Sequence, residues 1–198
     1  SDAVVDALFE QAGVIRTTTL EELFDVAALL AQQPVPRGGR VAIVTNAGGP
    51  GILAADACAA QGLELPPLSD VTVAELRSFL PAAASVGNPV DMIASASAES
   101  YGRAVRAVLR DEGVDSVLVI FIPPLVTHTK DVARAVRDAA ATCADKPVLG
   151  IFMSTDGATD LLAPIPRYEF PEAAAVALAR ATTYGAWLRS PIEAPPVY

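Results

Sequence analysis

The stretch Arg40–Ala60 (RVAIVTNAGGPGILAADACAA) constrains the fold of this chain more than any other. Its apolar, β-branched run Val41–Val44 reads as a buried parallel strand. A turn at Asn46–Gly51 follows at once, and from Ile52 to Ala60 alanine and leucine recur at helical density. Strand, glycine turn and helix start, in that order, leave backbone N–H groups pointing outward at a helix N-terminus. Those donors and the positive end of the helix dipole suit an anion, usually a phosphoryl group. The candidate binding residues are therefore Asn46, Ala47, Gly48, Gly49, Pro50 and Gly51. The glycines omit side chains where ligand oxygens would approach, and Pro50 suits a first helical turn because its missing N–H costs nothing there. The turn is neither a Walker A loop nor a G-x-G-x-x-G fingerprint. Taken alone, the glycines fit a tight turn that binds nothing equally well.

At 198 residues the chain can bury a sizeable core, as one domain with an attachment or as two small domains. A hydrophobic content of 52% dominated by Ala, Val and Leu suits Ala-rich helices on a Val/Ile sheet. The net charge of -9 argues against nucleic acid or an anionic membrane as partner, since both need clustered Lys and Arg. No apolar run is long enough to span a membrane, and no basic n-region opens the chain. Ser1 begins it without Met or signal, as a fragment of a longer protein would. Cys58 and Cys143 lie far apart and outside any C-x-x-C motif, which fits structural thiols in a reducing cytoplasm. A single His and no ligand cluster argue against zinc.

Along the chain, Ser1–Gln11 has helical amphipathic spacing and Ala12–Thr18 reads as extended. Thr19 with Glu22 forms a capping box for a helix ending near Gln33. Residues 1–39 are thus a helical segment with a turn-rich linker, QQPVPRGG. From Arg40 strands and helices alternate. Strands are expected at Val41–Val44, Leu63–Leu68, Val90–Ile93, Val117–Ile122, Pro147–Met153 and Ile165–Tyr168. Helices are expected at Val73–Leu80 (capped by Ser69 or Asp70), Ala98–Arg110 (capped by Ser97), Thr129–Ala144, Asp156–Leu162 and Pro171–Leu188. Residues 191–198 form a proline-rich tether.

Alternation of this kind predicts an α/β domain over residues 40–190, a flavodoxin-like, doubly wound parallel sheet of order 2-1-3-4-5. Ligands bind beyond the carboxyl ends of such strands, and Asn46–Gly51, Gly87–Asp91, Pro123–His128 and Ser154–Gly157 are expected to meet at that edge. Pro89 holds Asn88 out of the helical region, and Asp91 at a strand end could accept from the glycine loop or from a ligand. Asn88 and Asp91 are therefore candidates for loop support, ligand contact or both.

Three segments together, GRVAIVTNAGGPGILAADA (Gly39–Ala57), VGNPVDM (Val86–Met92) and PRYEFPEAAAVALA (Pro166–Ala179), resemble the NDP-forming acyl-CoA synthetases, relatives of succinyl-CoA synthetase. The resemblance spans nearly the whole chain, including SDAVVDALFEQAGVIRTTTLEELFD, which looks like the stretch following that family's phosphorylated His loop. NAGGPG and GNPVD are its most specific parts. It implies the domain following the phosphohistidine segment of an enzyme that interconverts acid, CoA and ATP with acyl-CoA, ADP and phosphate. ATP/ADP, Mg and CoA are implied for the full-length enzyme rather than this chain, with CoA-binding and ATP-grasp domains as partners and a cytoplasmic location. In such enzymes two helix N-termini hold the phosphohistidine, and Asn46–Gly51 would supply one. The phosphorylatable His is expected upstream of Ser1, so the isolated chain is expected to be inactive.

The alternative is a synthetase-like regulatory domain of a fused protein lysine acetyltransferase, sensing acyl-CoA or a metabolite. An FMN domain is a third reading, disfavoured because only Thr45 and Asn46 lie near the glycines where a Ser/Thr-rich loop would be usual. His128 lacks an evident carboxylate partner and reads as a loop residue, Lys130 as solvated and Asp156 as a helix cap.

Overall fold

The computed structural model describes residues 2–124, 128–153 and 159–191. Two helices lead, α1 (Asp2–Ala12) and α2 (Leu20–Gln32), followed by β1 (Val41–Thr45), α3 (Gly48–Ala60), α4 (Asp70–Arg77) and β2 (Val90–Asp91). Then come α5 (Ala98–Leu109), β3 (Ser116–Phe121), α6 (Thr129–Ala140), β4 (Val148–Phe152), α7 (Thr159–Leu162), β5 (Arg167–Tyr168) and α8 (Pro171–Arg189). All strand pairs are parallel and the order is β2-β1-β3-β4-β5, as the alternation predicts.

The central strands are apolar on both faces because both are covered. Ala42, Val44, Val117, Val119, Phe121, Val148 and Phe152 face α4, α5, α6 and α7. The alternating set Val41, Ile43, Leu118, Ile120, Leu149 and Ile151 faces α2, α3 and α8. Period-two alternation thus splits one run of Val and Ile between two cores.

Local chemistry sets the element ends. The Thr19 hydroxyl accepts from Glu22 N–H at 3.1 Å, as expected. The Glu22 carboxylate reaches one residue further back than in a standard capping box, accepting from the N–H and hydroxyl of Thr18 at 2.7 Å each, and its other oxygen takes Arg180 at 2.8 Å. Ser69 caps α4 and Ser97 caps α5. The strand expected at Leu63–Leu68 reduces to one bridge, Arg40 with Glu64. Pro66 and Pro67 lack the donors to extend it, and the Pro66 carbonyl accepts from the Asn88 side chain instead. α6 ends at Ala140 rather than Ala144, closed by the Ala139 carbonyl, which accepts from Thr142 N–H and from the Thr142 hydroxyl. The helix expected from Asp156 is seen from Thr159; Ser154–Gly157, Asp156 included, and most of the proline-rich tail fall outside the described residues.

The N-terminal helices differ in how they pack. α2 buries Val26 and Leu29 against α8, whereas α1 leaves Val4, Val5 and Leu8 exposed and is held by the Asp6–Arg16 ion pair and by Trp187, whose Nε1 donates to the Gln11 carbonyl at 3.2 Å. Among the described residues no helix is long and apolar enough to cross a membrane, and no group of His, Cys, Asp or Glu could hold a metal ion.

Candidate functional site

The glycines do not form a loop before the helix; they are its first turn. α3 starts at Gly48 with Ala47 as N-cap, so Gly48, Gly49, Pro50 and Gly51 are helical. The donors at this end can be accounted for one by one. Ala47 N–H is taken by the Thr45 hydroxyl at 3.0 Å, and Gly51 N–H donates to the Ala47 carbonyl at 3.2 Å. Pro50 has none. Gly48 and Gly49 remain, both exposed, and among the described residues none accepts from either N–H. Of the four backbone N–H groups between Ala47 and Gly51, two are thus spent on the local fold.

Asn46 does not face the opening. It is 3% exposed, its Nδ2 donates to the Ile122 carbonyl at 2.8 Å and its Oδ1 accepts from Ile122 N–H at 3.0 Å. The side chain thus stands in for a strand residue and ties the carboxyl end of β1 to that of β3. Beneath it, Tyr101 is fully buried and donates to the Ile120 carbonyl at 2.8 Å. Burial above all, with the nearby Asp91 charge, pushes its phenol well above the ordinary range despite a hydrogen bond from the Asn46 backbone, so it stays a neutral donor.

Asp91 and Asn88 part company. Asp91 pairs in register with Thr45 and so reaches the carboxyl edge, where Oδ1 accepts from Ile93 N–H at 2.9 Å. Its Oδ2 lies 3.0 Å from where a Cβ on Gly48 would stand. Ile93 itself sits at φ 62°, a left-handed conformation that β-branched residues avoid. Asn88 corrects the expectation that Gly87–Asp91 emerges together at that edge. Val90 pairs with Val44, so Asn88, two residues earlier, lies beside the opposite half of β1. There its Oδ1 accepts from Ile43 N–H at 3.1 Å, while its Nδ2 donates to the carbonyls of Val41 at 2.8 Å and Pro66 at 3.0 Å. All three of these hydrogen bonds go to backbone.

His128 is the exposed N-cap of α6 and makes no side-chain capping bond, and Lys130 is exposed on the first turn, as expected. Thr45 holds Ala47, a role that the sequence reading misses; a Thr two residues before the N-cap is the signal that marks it. A cavity of about 370 Å³ between α1 and α8, lined among others by Phe9, Arg16, Tyr184 and Trp187, involves none of the glycine-turn residues. At the helix end Gly48 and Gly49 are both exposed.

Residues 41–189 match the Ligase-CoA domain model. The chain belongs to the Ligase-CoA domain family. Curated relatives of this Ligase-CoA domain include the acetate–CoA ligase [ADP-forming] II subunit alpha of Pyrococcus furiosus, 43% identical over 88% of this chain and 40% of that protein. Another is the 4-hydroxybutyrate–CoA ligase [ADP-forming] of Nitrosopumilus maritimus, 31% identical over 96% of this chain and 28% of that protein. Among solved structures, a crystal structure from Pyrococcus horikoshii OT3 superposes with a TM-score of 0.89 at 39% identity, covering 95% of this chain and 45% of the other. The dinucleotide-forming acetyl-coenzyme A synthetase 1 of Ca. Korarchaeum cryptofilum, solved in complex with phosphate and ADP, gives a TM-score of 0.87 at 27% identity over 94% of this chain and 42% of that chain. The chain therefore spans less than half the length of these relatives. The resemblance to NDP-forming acyl-CoA synthetases and the parallel α/β fold both hold.

Proposed function

We propose that this Ligase-CoA domain is part of an NDP-forming acyl-CoA synthetase and that the N-terminus of α3 receives a phosphohistidine carried by another part of the same enzyme. The observation that carries this reading is the pair of exposed amides of Gly48 and Gly49, unclaimed among the described residues, at the carboxyl edge of a parallel sheet. Two N–H donors and a helix dipole offset part of a dianion's charge without a mobile cation. Asp91 lowers the affinity, because its carboxylate approaches the same helix end. Weak holding suits a group that must leave again, and a tether makes it sufficient: a covalently delivered phosphoryl group arrives at an effective concentration of about millimolar or more.

In this role the chain itself makes and breaks no covalent bond. ATP, Mg and CoA belong to the remainder of the enzyme, with its CoA-binding and ATP-grasp domains. The relatives above whose names state an activity are CoA ligases and an acetyl-CoA synthetase, which favours this reading over a regulatory domain fused to an acetyltransferase.

The test is a titration of inorganic phosphate into isotope-labelled protein, following backbone amides by NMR. Saturable shifts centred on Gly48 and Gly49, abolished by Gly49→Val, are the expected result. Shifts spread over the surface, or unaffected by Gly49→Val, refute the reading.

A further inference from the structure

α3 is apolar on both of its faces. Its inner face, with Gly51, Ala54 and Cys58, is buried against β1 and α8. Its outer face carries Gly49, Ile52, Leu53, Asp56, Ala59 and Ala60, with Ile52 at 62% and Leu53 at 53% exposure. A helix lying on a protein surface ordinarily shows charged residues outward, and one that is apolar all round is ordinarily buried all round. The one charge on this face is informative. Asp56 stands seven residues from Gly49, on the same side of the helix and about 10 Å along its axis. In order along one line lie two free amides, an apolar pair and a single carboxylate.

We infer that the outer face of α3 is covered in the complete ligase by the domain that brings the phosphoryl group to Gly48 and Gly49. This rests on the function proposed above and extends it from a point of contact to a surface. The complementary partner presents, over the same 10 Å or so, the anion for the amides, an uncharged apolar patch for Ile52 and Leu53, and a basic side chain for Asp56. This chain is less than half the length of its relatives, so such a partner is available within one enzyme. Burying Ile52 and Leu53 against it would also hold the weakly bound anion in register with the helix end.

Thiol accessibility tests the inference. Leu53→Cys is placed on a Cys143→Ser background, where Cys58 is fully buried, and labelling by a water-soluble disulfide reagent is followed peptide by peptide by mass spectrometry. The rate is compared between the 198-residue chain, checked for native circular dichroism, and the complete ligase. Glu112→Cys, at an exposed position well outside α3, is the control. Labelling at position 53 is expected to slow at least tenfold in the complete ligase while position 112 changes less than twofold, and Asp56→Lys is expected to restore at least threefold of the rate at 53. Equal rates at 53 in the two proteins overturn the inference. So does protection already present in the isolated chain as a concentration-dependent dimer, which would put a second copy on this face. An unchanged rate in Asp56→Lys overturns the assigned partner chemistry. Phosphate titration of the Gly48 and Gly49 amides reads the proposed function independently of all these outcomes.

Discussion

The first turn of α3 lets folding and binding be separated with alanine substitutions. A Cβ on Gly49 meets nothing within 4 Å, and Gly49 has helical backbone, so Gly49→Ala removes the entropic disadvantage of glycine with no steric cost. The expected gain is about 0.5–1 kcal/mol. A Cβ on Gly51 meets Thr45 Cγ2 at 3.0 Å. Thr45 is fully buried, and its hydroxyl holds Ala47 N–H, so the methyl cannot swing aside without breaking that bond. Overpacking of this sort costs about 1–3 kcal/mol, which outweighs the helical gain. For a chain of this length each kcal/mol moves the melting temperature by about 2–4 °C, so the two variants should melt on opposite sides of the wild type. Phosphate binding, read from the Gly48 amide, should nevertheless weaken in Gly49→Ala, because the new methyl stands where oxygens approach. A Gly49→Ala protein that is destabilised as much as Gly51→Ala refutes the open, helical placement of Gly49. One that melts higher but binds phosphate unchanged refutes the direction of approach.

Other residues yield sharper contrasts. Asp91→Asn keeps an acceptor for Ile93 N–H but removes the charge beside Gly48, so phosphate should bind at least about fivefold tighter, corresponding to the roughly 1 kcal/mol between two unit charges about 4 Å apart in water; unchanged affinity by NMR titration contradicts the repulsion. Asn88→Ala strips partners from Val41, Ile43 and Pro66 and should cost about 1–3 kcal/mol in urea unfolding, with phosphate shifts at Gly48 unaffected. Stability should also fall in acid. Asp115 is held low chiefly by hydrogen bonds from Arg40, whereas for Asp111 and Glu22 burial pushes upward but is outweighed, at Asp111 by hydrogen bonds from Ser69, Thr72 and Gly113 and at Glu22 by those from Thr18 and Arg180. A carboxyl whose folded pKa lies below its unfolded value of about 4 stabilises above that value and loses the contribution as pH drops through the folded one. The urea midpoint should therefore be level from about pH 7 to about 5 and decline below, less steeply in Asp115→Asn. A midpoint that rises on acidification contradicts the assignment.

The fold was largely legible because its signals are local and repeated. Short β-branched apolar runs such as Val117–Ile122, closed by Pro123 and Pro124, read as covered strands, and Ser69, Ser97 and Thr19 announce their helices by side-chain chemistry that acts within three residues. Where local signals misled beyond an element end, a partner distant in sequence had intervened. Leu63–Leu68 looks like a strand until Asn88 claims the Pro66 carbonyl, and GNPVD looks like one loop motif until strand register sends Asn88 and Asp91 toward opposite ends of β1. Asn46 beside the glycines looks like a ligand contact, and only the adjacency of β1 and β3 reveals that Ile122 occupies it. Polar residues near a glycine turn are ambiguous in sequence because ligand and distant backbone offer them the same hydrogen bonds.

The helix end and the surface behind it have to be read together. Each amide removed from the expected set, Ala47 by Thr45 and Gly51 by the helix itself, lowers the intrinsic affinity for an anion, and Asp91 lowers it again. A site for free phosphate would gain from the opposite arrangement, with a lysine or arginine in place of the carboxylate. Weak donors at the tip of a helix become useful when the anion is presented by a partner already bound through other contacts, because the partner's surface then carries the affinity and the amides only orient the charge. On α3 the residues able to bind such a partner, Ile52 and Leu53, directly follow those that orient the anion, and they are apolar where solvent alone would favour charge. Weak amides and an uncovered apolar face are thus the two features expected of a helix that meets another domain, as proposed above.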